Sequence, residues 1–396
     1  MDSTEIDDIR WLIANANLEL DVPGLSDDPL RLAAHFRAHH SANRTRLLCE
    51  LHELRIRARA KFTSANRMFF TRLGYEQSTD ELIADYKSRR FSHCDSVCDL
   101  CCGIGGDAIS LGKNSGYLTL VDRSKVKIEL ARANLQANDI VDYQVREADV
   151  RSVDLSSFTA WHLDPDRRAD QKRRTRPDAC EPPLHQFLGQ LGRSRNGAVK
   201  LSPAADVSYL LDENVELEWI GHSRECQQLV IWLGELADYP GKRTASWLTR
   251  RDGALHVEKI AGDRAAVDEA VLRDMPRFLY EPRPSVIAAG LASALATKFT
   301  LRRIAKDVAY FGSNELLDSY LFQRFETLAT FPYRQKTLAS KLSQLGGWIA
   351  EVKKRRVDDF PAHTLSKQAR PDGQPLVLLL FPVKHSVHAV LAKRIT

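Results

Sequence analysis

A glycine-rich turn preceded by an acid is the part of this chain whose residue types could do chemistry. Asp99 stands in the short apolar segment Val97–Leu100, and Gly103-Ile104-Gly105-Gly106-Asp107 follows after two cysteines. Because glycine has no side chain, such a turn lets a small ligand touch the backbone. The helix expected after it adds free backbone N–H donors. The pattern is typical of a nucleotide-like cofactor bound at the carboxyl ends of parallel strands.

The next apolar segment also ends in an acid. Tyr117–Val121 is a second predicted strand, and Asp122 and Arg123 follow it. An acid about 20 residues beyond a glycine turn is the expected acceptor of ribose hydroxyls in a nucleotide-binding βαβ unit. The apolar periodicity of Ser124–Asn138 predicts a helix after this strand.

Two further strand ends carry acids. A strand-like stretch over 142–147 leads to Asp149 and Val150, and Asp149 is placed to accept a hydrogen bond from the exocyclic amine of an adenine. A fourth predicted strand, Ala160–Leu163, runs into Asp164-Pro165-Asp166. The acids therefore recur in register at successive strand ends, which is where the ligand of an open α/β sheet binds.

This series resembles the class I S-adenosylmethionine-dependent methyltransferases. In that family the glycine turn wraps the methionine and sugar of the cofactor, the acid after the second strand holds the ribose, and the next acid lies by the adenine. The resemblance implies S-adenosyl-L-methionine as cofactor and the following contacts with it: Asp99, Cys101, Gly103, Gly105, Gly106, Asp107, Asp122, Arg123, Asp149 and Val150.

Two other interpretations of the turn remain. One is a dinucleotide-binding fold, whose turn has the pattern G-x-G-x-x-G. This chain instead has G-x-G-G-D, and the carboxylate of Asp107 would repel a pyrophosphate. The other is a strand-to-helix turn with no nucleotide ligand, since three glycines in a loop are a weak signal by themselves.

Finer details indicate a subfamily. The segment Cys101–Ile109 is similar to that of trimethylguanosine-synthase-like enzymes, and closer still to bacterial methyltransferases with a C-terminal THUMP-like domain. Three more segments support the second likeness: Met68–Phe91, Leu163–Arg168 and Leu201–Asp206. THUMP domains bind RNA in many tRNA-modifying enzymes, so the likeness implies an RNA substrate, tRNA or rRNA.

The acceptor site is predicted where the fourth strand ends. In amino-methylating relatives this strand ends in Asp, Asn or Ser, then Pro-Pro and an aromatic residue. Asp164 and Pro165 match the first two positions, but Asp166 and Arg167 replace the second proline and the aromatic residue. We take Asp164, Pro165 and Asp166 as the catalytic candidates. The alternative is that Asp164-Pro165 only caps the strand and shapes the turn.

Substrate contacts are predicted from the same likeness and from basic residues near the motif. The candidates are Phe69, Gln77, Thr79, Arg167, Arg168 and Ser202. Phe69 could stack on a base, although core packing is the ordinary role of such a residue. Basic clusters over 167–176 and 353–356 would suit a phosphate-bearing substrate, whereas the alternative is solvated loops.

Composition sets few limits on function. The chain has 396 residues, a formal net charge of +5 and seven cysteines. Four cysteines lie within nine positions at 94–102, but a zinc site usually needs two separated pairs, so we predict no metal. With no signal peptide at the N-terminus and no apolar run of about 20 residues, we expect a cytoplasmic protein that does not bind membranes. The sequence does not indicate the oligomeric state.

Three regions follow from these patterns. Residues 1–60 are predicted as a helical accessory region, 61–318 as the methyltransferase domain with a Rossmann-like α/β sheet, and 319–396 as a small α+β THUMP-like domain. Within the second region, 184–191 and 284–297 are predicted helices. The predicted function is S-adenosylmethionine-dependent methylation of RNA. The alternatives are methylation of a small molecule or a protein, or binding of cofactor or RNA without catalysis.

Overall fold

The computed structural model describes residues 3–21, 24, 28–166, 180–191, 196–263, 271–272, 274–357, 373–383 and 386–395. Two compact units make up the chain. The first contains Met1–Leu217 and Gln228–Gly241, and the second contains Glu218–Gln227 and Lys242–Thr396.

Three helices open the first unit: α1 (Ser3–Leu20), α2 (Pro29–Arg37) and α3 (Ala42–Ala58). The side chains of Asp28 and Ser41 accept backbone N–H bonds at the starts of α2 and α3, which satisfies donors that a helix terminus leaves unpaired. Arg10 of α1 forms an ion pair of 2.9 Å with Glu129 on a helix of the sheet domain. The predicted accessory helices thus lie within the first unit.

The sheet region of the first unit alternates strands and helices. Its elements are α4 (Arg72–Gln77), α5 (Glu81–Ser88), β1 (Ser96–Leu100), α6 (Gly106–Asn114), β2 (Tyr117–Asp122), α7 (Lys125–Ala137), β3 (Tyr143–Glu147), β4 (Ala160–Leu163), α8 (Leu184–Leu191), β5 (Gly197–Leu201), β6 (Val215–His222) and β7 (Glu225–Leu233).

The strand order in this unit is β3-β2-β1-β4-β5-β7-β6. β1 pairs in parallel with β2 and β4, β2 with β3, and β4 with β5, whereas β7 runs antiparallel to β5. The predicted Rossmann-like α/β fold is therefore confirmed. Since β1 to β5 are parallel, their carboxyl ends meet at one edge of the sheet, which positions the acids that follow them.

The second unit contains the ends of β6 and β7 and a long run of further elements. They are β8 (Arg243–Arg251), β9 (Ala254–Gly262), β10 (Phe278–Pro282), α9 (Pro284–Ala288), α10 (Ala292–Lys298), β11 (Arg302–Arg303), β12 (Phe311–Ser313), β13 (Phe322–Pro332), α11 (Gln335–Gln344), β14 (Gly347–Lys354), β15 (Gln374–Val383) and β16 (Ser386–Ile395).

Most of the second unit is a sheet of order β11-β12-β10-β13-β16-β15-β14. Its two faces carry separate apolar clusters, one around Phe325 and one around Leu378. The boundary predicted between 318 and 319 falls inside this sheet, because β10 pairs with both β12 and β13.

One predicted helix of this region is corrected by the structure. The helix predicted over 284–297 is two helices, α9 and α10. Gly290 lies between them with a φ of 71°, a left-handed conformation that ends α9 and that glycine adopts without steric cost.

Candidate active site

A cavity of about 200 Å³ lies in the first unit at the edge where the parallel strands end. The glycine turn, the ends of β1, β2 and β4, the segment after β3 and the segment Gly74–Thr79 all contribute to its lining. This is the position at which an open α/β sheet binds its ligand.

The glycine turn has a backbone that most residues do not adopt. Gly103 and Gly105 have φ values of 58° and 85°, and Cys101 adopts the same left-handed region at 57°. A Cβ on Gly103 would meet no atom within 4 Å, whereas one on Gly106 would stand 3.2 Å from Ser78 Cβ. Glycine thus adopts the left-handed conformation at 103 without steric cost, and a side chain at 106 would have to displace Ser78.

Asp122 holds this turn in place. Its Oδ2 accepts the backbone N–H of Gly103 at 3.1 Å, and its Oδ1 accepts that of Ser124 at 2.9 Å. Lys127 Nζ lies 4.0 Å from the same carboxylate. Asp122 lines the cavity, so the predicted ribose-binding acid is oriented by main-chain donors on both sides.

Asp149 lies at the outer rim of the cavity. Its carboxylate forms an ion pair with Arg151 at 2.5 Å, and Arg151 also lies 3.7 Å from Glu181. The hydrogen bonds from Arg151 lower the pKa of Asp149 to about 2. Asp149 is therefore a carboxylate at neutral pH, although most of its electrostatic energy is screened by solvent at this exposed position.

Asp99 lies at the back of the cavity and is almost fully buried. Its Oδ1 is 2.7 Å from His162 Nδ1, while its Oδ2 has no hydrogen-bond partner among the described residues. Burial raises the pKa of Asp99, and the hydrogen bond to His162 opposes that rise. A buried carboxylate oxygen that faces a cavity without a donor is a natural anchor for an ammonium group of a ligand.

Asp107, the first acid of α6, is held by three side chains. The Thr79 hydroxyl donates to it at 2.5 Å, Lys87 Nζ lies 2.7 Å away and Lys200 Nζ lies 3.9 Å away. Burial alone would raise the pKa of Asp107, but the ammonium of Lys87, with that of Lys200, holds it well below its usual range. Lys87 is itself fully buried, and this burial lowers its pKa.

Asp164, directly after β4, is the acid predicted to meet the methyl acceptor. Its Oδ2 pairs with Lys200 Nζ at 2.5 Å, and Lys200 also donates to the backbone carbonyl of Gln77 at 3.4 Å. The Gln77 side chain donates to Asp166 Oδ1 at 3.2 Å. Asp166 pairs through its backbone with Glu181, and both residues line the cavity.

These contacts form one continuous series that we name the buried ionic chain. It runs from the cavity mouth to the core in the order Asp164, Lys200, Asp107, Lys87, His162 and Asp99. Lys87 Nζ lies 3.4 Å from His162 Nε2 and can only donate a hydrogen bond, so Nε2 accepts and Nδ1–H donates to Asp99. Asp164 is the most exposed of the six.

Most residues predicted for the site line the cavity. They are Gln77, Thr79, Asp99, Cys101, Gly103, Gly106, Asp107, Asp122, Arg123, Asp149, Val150, Asp164, Pro165 and Asp166. Three others do not. Gly105 packs against Leu135, Ser202 is buried behind the strand ends, and Phe69 is buried in the core. Arg167 and Arg168 lie outside the described residues.

The position of Phe69 excludes the stacking role considered for it. Its backbone N–H donates to Asn134 Oδ1 at 2.7 Å, and Arg55 lies over its ring at 5.2 Å. Core packing is therefore its role in this structure.

Sequence reasoning missed Lys87, His162 and Lys200. His162 and Lys200 stand in the otherwise apolar strands β4 and β5, where a charged or polar residue needs a partner when it is buried. That signal was present in the sequence. Lys87 gave none, because a lysine near the end of a helix is ordinarily solvated.

The described residues contain neither a metal-binding cluster nor a helix that could span a membrane. No group of three or more His, Cys, Asp or Glu in the described parts of the chain is placed to hold a metal ion. None of the described helices is long and apolar enough to cross a membrane.

Known proteins support this description of the first unit. Residues 61–162 match the family model of the methyltransferase small domain. A crystal structure of a protein from Porphyromonas gingivalis W83, assigned as a methyltransferase, has a TM-score of 0.77 at 19% identity, with 100% of both chains covered. No curated protein is significantly similar to the chain.

Two other solved structures share only part of the fold. An rRNA methylase from Streptococcus thermophilus and an RNA methyltransferase from Salinibacter ruber, the latter with S-adenosyl-L-homocysteine, are each 13% identical and cover 38% of this chain. The matches include 94% and 88% of those two chains, and their TM-scores are 0.28 and 0.29. Such partial likeness says nothing about substrate. Residues 61–162 thus match a methyltransferase domain, and the chain as a whole shares its fold with a protein assigned as a methyltransferase.

Proposed function

We propose that the protein transfers the methyl group of S-adenosyl-L-methionine to RNA, either tRNA or rRNA. The observation that carries the proposal is the convergence of Asp99, Asp122, Asp149 and Asp164 on one cavity around the Gly103 turn. Each acid stands in or just after a parallel strand, where a nucleoside-type cofactor binds.

The cofactor would lie along the glycine turn. Asp122 accepts the ribose hydroxyls and Asp149 lies by the adenine, with Arg123 and Val150 beside it. The unpartnered Oδ2 of Asp99 meets the ammonium of the methionine part. The lining is rich in carboxylates, which complements a cofactor whose sulfonium is cationic and disfavours a pyrophosphate.

Methyl transfer from a sulfonium is an in-line displacement, so the enzyme mainly positions the acceptor. Asp164 is the group that orients the acceptor and takes its proton. The Pro165 carbonyl and Asp166 complete the acceptor side, where the side chain of Gln77 fixes Asp166. Thr79, proposed as a substrate contact, acts instead through its hydrogen bond to Asp107.

An RNA acceptor is supported by the charge of the segment that begins at Asp166. Six of the ten residues 167–176 are Arg or Lys, with Arg167 and Arg168 first. Asp166, which precedes these residues in the chain, lines the cavity and pairs with Glu181. Basic residues attract the phosphates of RNA, which the acidic cavity itself would repel.

The seven free thiols agree with a reducing cytoplasm as the site of this reaction.

The resemblance of residues 319–396 to a THUMP-like domain implies that RNA binds to the second unit. The cluster Lys353, Lys354, Arg355 and Arg356 lies at the end of β14 and beyond it.

Calorimetric titration with S-adenosyl-L-methionine and its demethylated product tests the cofactor site. We expect micromolar binding to the wild type and a loss of at least about 10-fold in Asp122→Ala, because one ribose acceptor and the anchor of Gly103 are removed together. Asp142→Ala, an exposed acid outside the cavity, is the matched control and should bind normally. A wild-type protein that binds neither ligand would contradict the proposal.

Transfer of tritium from labelled cofactor to total RNA of a strain that lacks the gene tests the substrate. Label in RNA that disappears with Asp164→Ala supports an RNA methyltransferase and excludes a non-catalytic binding protein. Label found instead in proteins or small molecules would show that the acceptor is of another class. Mass spectrometry of the nucleosides then identifies the methylated atom.

A further inference from the structure

The acceptor-side carboxylate does not stand alone in this structure. Asp164 Oδ2 is 2.5 Å from the ammonium of Lys200, whose side chain is 7% exposed. The other oxygen of Asp164 is left for the cavity that this residue lines. A carboxylate that uses one oxygen for a fixed ammonium presents the second in a defined direction.

Lys200 is fixed in turn by groups behind it. Its Nζ faces Asp107 at 3.9 Å and donates to the Gln77 carbonyl at 3.4 Å. Asp107 is anchored by Thr79 and by the buried Lys87. The ammonium of Lys200 therefore has little freedom, and its position is set by helices α5 and α6 together with β5.

The surroundings of Asp164 explain why an ammonium is needed there. The carboxylates near it are Asp99 from β1, Asp107 from α6 and Asp166 on the same segment. The ammonium groups near it are Lys200 from β5 and Lys87 from α5. The attraction of Lys200 offsets the repulsion of Asp164 by these carboxylates and so holds Asp164 in place.

We propose that Lys200 is a positioning residue that holds one oxygen of Asp164 so that the other is aimed at the methyl acceptor, and that the methylated atom carries a hydrogen until transfer. The inference rests on the proposed methyltransferase function. The lone pair of the acceptor oxygen or nitrogen forms the bond to the methyl carbon. The bond from that carbon to sulfur breaks, and its electron pair leaves the sulfur as a neutral thioether. The proton of the acceptor passes to Asp164.

Transfer kinetics of the full chain at pH 7, with total RNA as acceptor, test this role. In Lys200→Met we expect kcat to fall about 100-fold, the scale of a misplaced proton acceptor. The KM for RNA should stay within about 3-fold of the wild-type value, because Lys200 orients Asp164 and does not itself bind the acceptor. Cofactor affinity should stay within about 3-fold, because Lys200 does not line the cavity. Lys200→Arg should retain most of the activity, and Lys113→Met, an exposed control on α6, all of it.

A double variant separates positioning from general damage. If Lys200 acts through Asp164, Lys200→Met added to Asp164→Asn should lower transfer no further, since the group that it positions is gone. A second loss of 10-fold or more in the double variant, or a Lys200→Met defect confined to the KM for RNA, overturns the inference while the proposed function stands. Wild-type protein that binds no cofactor, or leaves RNA unlabelled, overturns the proposed function and this inference with it.

Discussion

The two sides of the cavity are built in different ways. On the side proposed to bind the cofactor, Asp122 accepts two backbone N–H groups and the turn is shaped by left-handed glycines. On the side proposed to bind the methyl acceptor, Asp164 is oriented by the buried ionic chain, which consists of contacts between side chains of α5, α6, β1, β4 and β5. The first side depends on a few neighbouring residues of sequence, and the second depends on how the whole unit packs.

This difference predicts different costs of mutation. A mutation in the turn that removes one main-chain hydrogen bond lowers the free energy of unfolding by about 1 kcal/mol. Removal of one member of a buried ion pair leaves an uncompensated charge, which costs several times more.

The largest effect is expected at Lys87. Lys87→Met leaves the buried carboxylate of Asp107 without its 2.7 Å partner, and we expect the free energy of unfolding of the first unit to fall by about 3–5 kcal/mol. Urea unfolding followed by circular dichroism measures it. Lys125→Met, an exposed lysine on α7, should change stability by less than about 0.5 kcal/mol. If Lys87→Met with Asp107→Asn loses as much as the sum of the singles, the two residues are not coupled and the ionic chain is not a unit.

An intermediate effect is expected at the start of α6. Gly105→Ala places a side chain at a φ of 85°, and the new Cβ would lie 3.2 Å from Leu135 Cδ1. We expect a loss of about 1–3 kcal/mol in unfolding free energy, with weaker cofactor binding because the turn shifts. Gly189→Ala on α8 is the control and should raise the free energy of unfolding. Its new Cβ would meet no atom within 4 Å, and alanine stabilises a helix by up to about 1 kcal/mol relative to glycine. If Gly105→Ala and Gly189→Ala change the unfolding free energy equally, the left-handed backbone at position 105 does not explain the loss.

The smallest effect at neutral pH concerns Cys98, a buried thiol of β1, which acts only under alkaline conditions. Burial, with a contribution from Asp99, raises the pKa of Cys98 to about 12 from the ordinary value of 9.0. Because the folded pKa is the higher one, the contribution of this thiol is fully present below pH 9 and is lost as the pH rises towards 12. The unfolding free energy should fall by about 1.4 kcal/mol per pH unit in that window. In Cys98→Ala this slope should be smaller by that amount, and an unchanged slope would show that Cys98 does not titrate as described.

Sequence patterns located the local elements of the site well. Strands β1, β2 and β4 lie within one residue of their predicted bounds, because short apolar runs that end in acids and glycines mark buried parallel strands. The glycine turn followed β1 as predicted, since its conformation depends on residues that are adjacent in the chain. The prediction of a single helix over 284–297 was wrong for a local reason, because Gly290 ends the first of two helices there.

Residues that act through distant partners were harder to predict. Phe69 was considered for stacking because it precedes the turn in sequence, yet packing with Arg55 and Asn134 places it in the core. Lys87 and Lys200 were overlooked because a lysine is ordinarily solvated, and no pattern in the sequence pairs position 87 with 107 or 200 with 164.

By itself the sequence determined the α/β class, the glycine turn and the acids at the strand ends, because these follow from periodicity and from conformations of adjacent residues. Only the tertiary structure decided that Asp107 faces Lys87 and that Asp164 faces Lys200. The reason is energetic as well as geometric. A charge can be buried only where a partner from another element reaches it, and that meeting is defined once the sheet and its helices have packed.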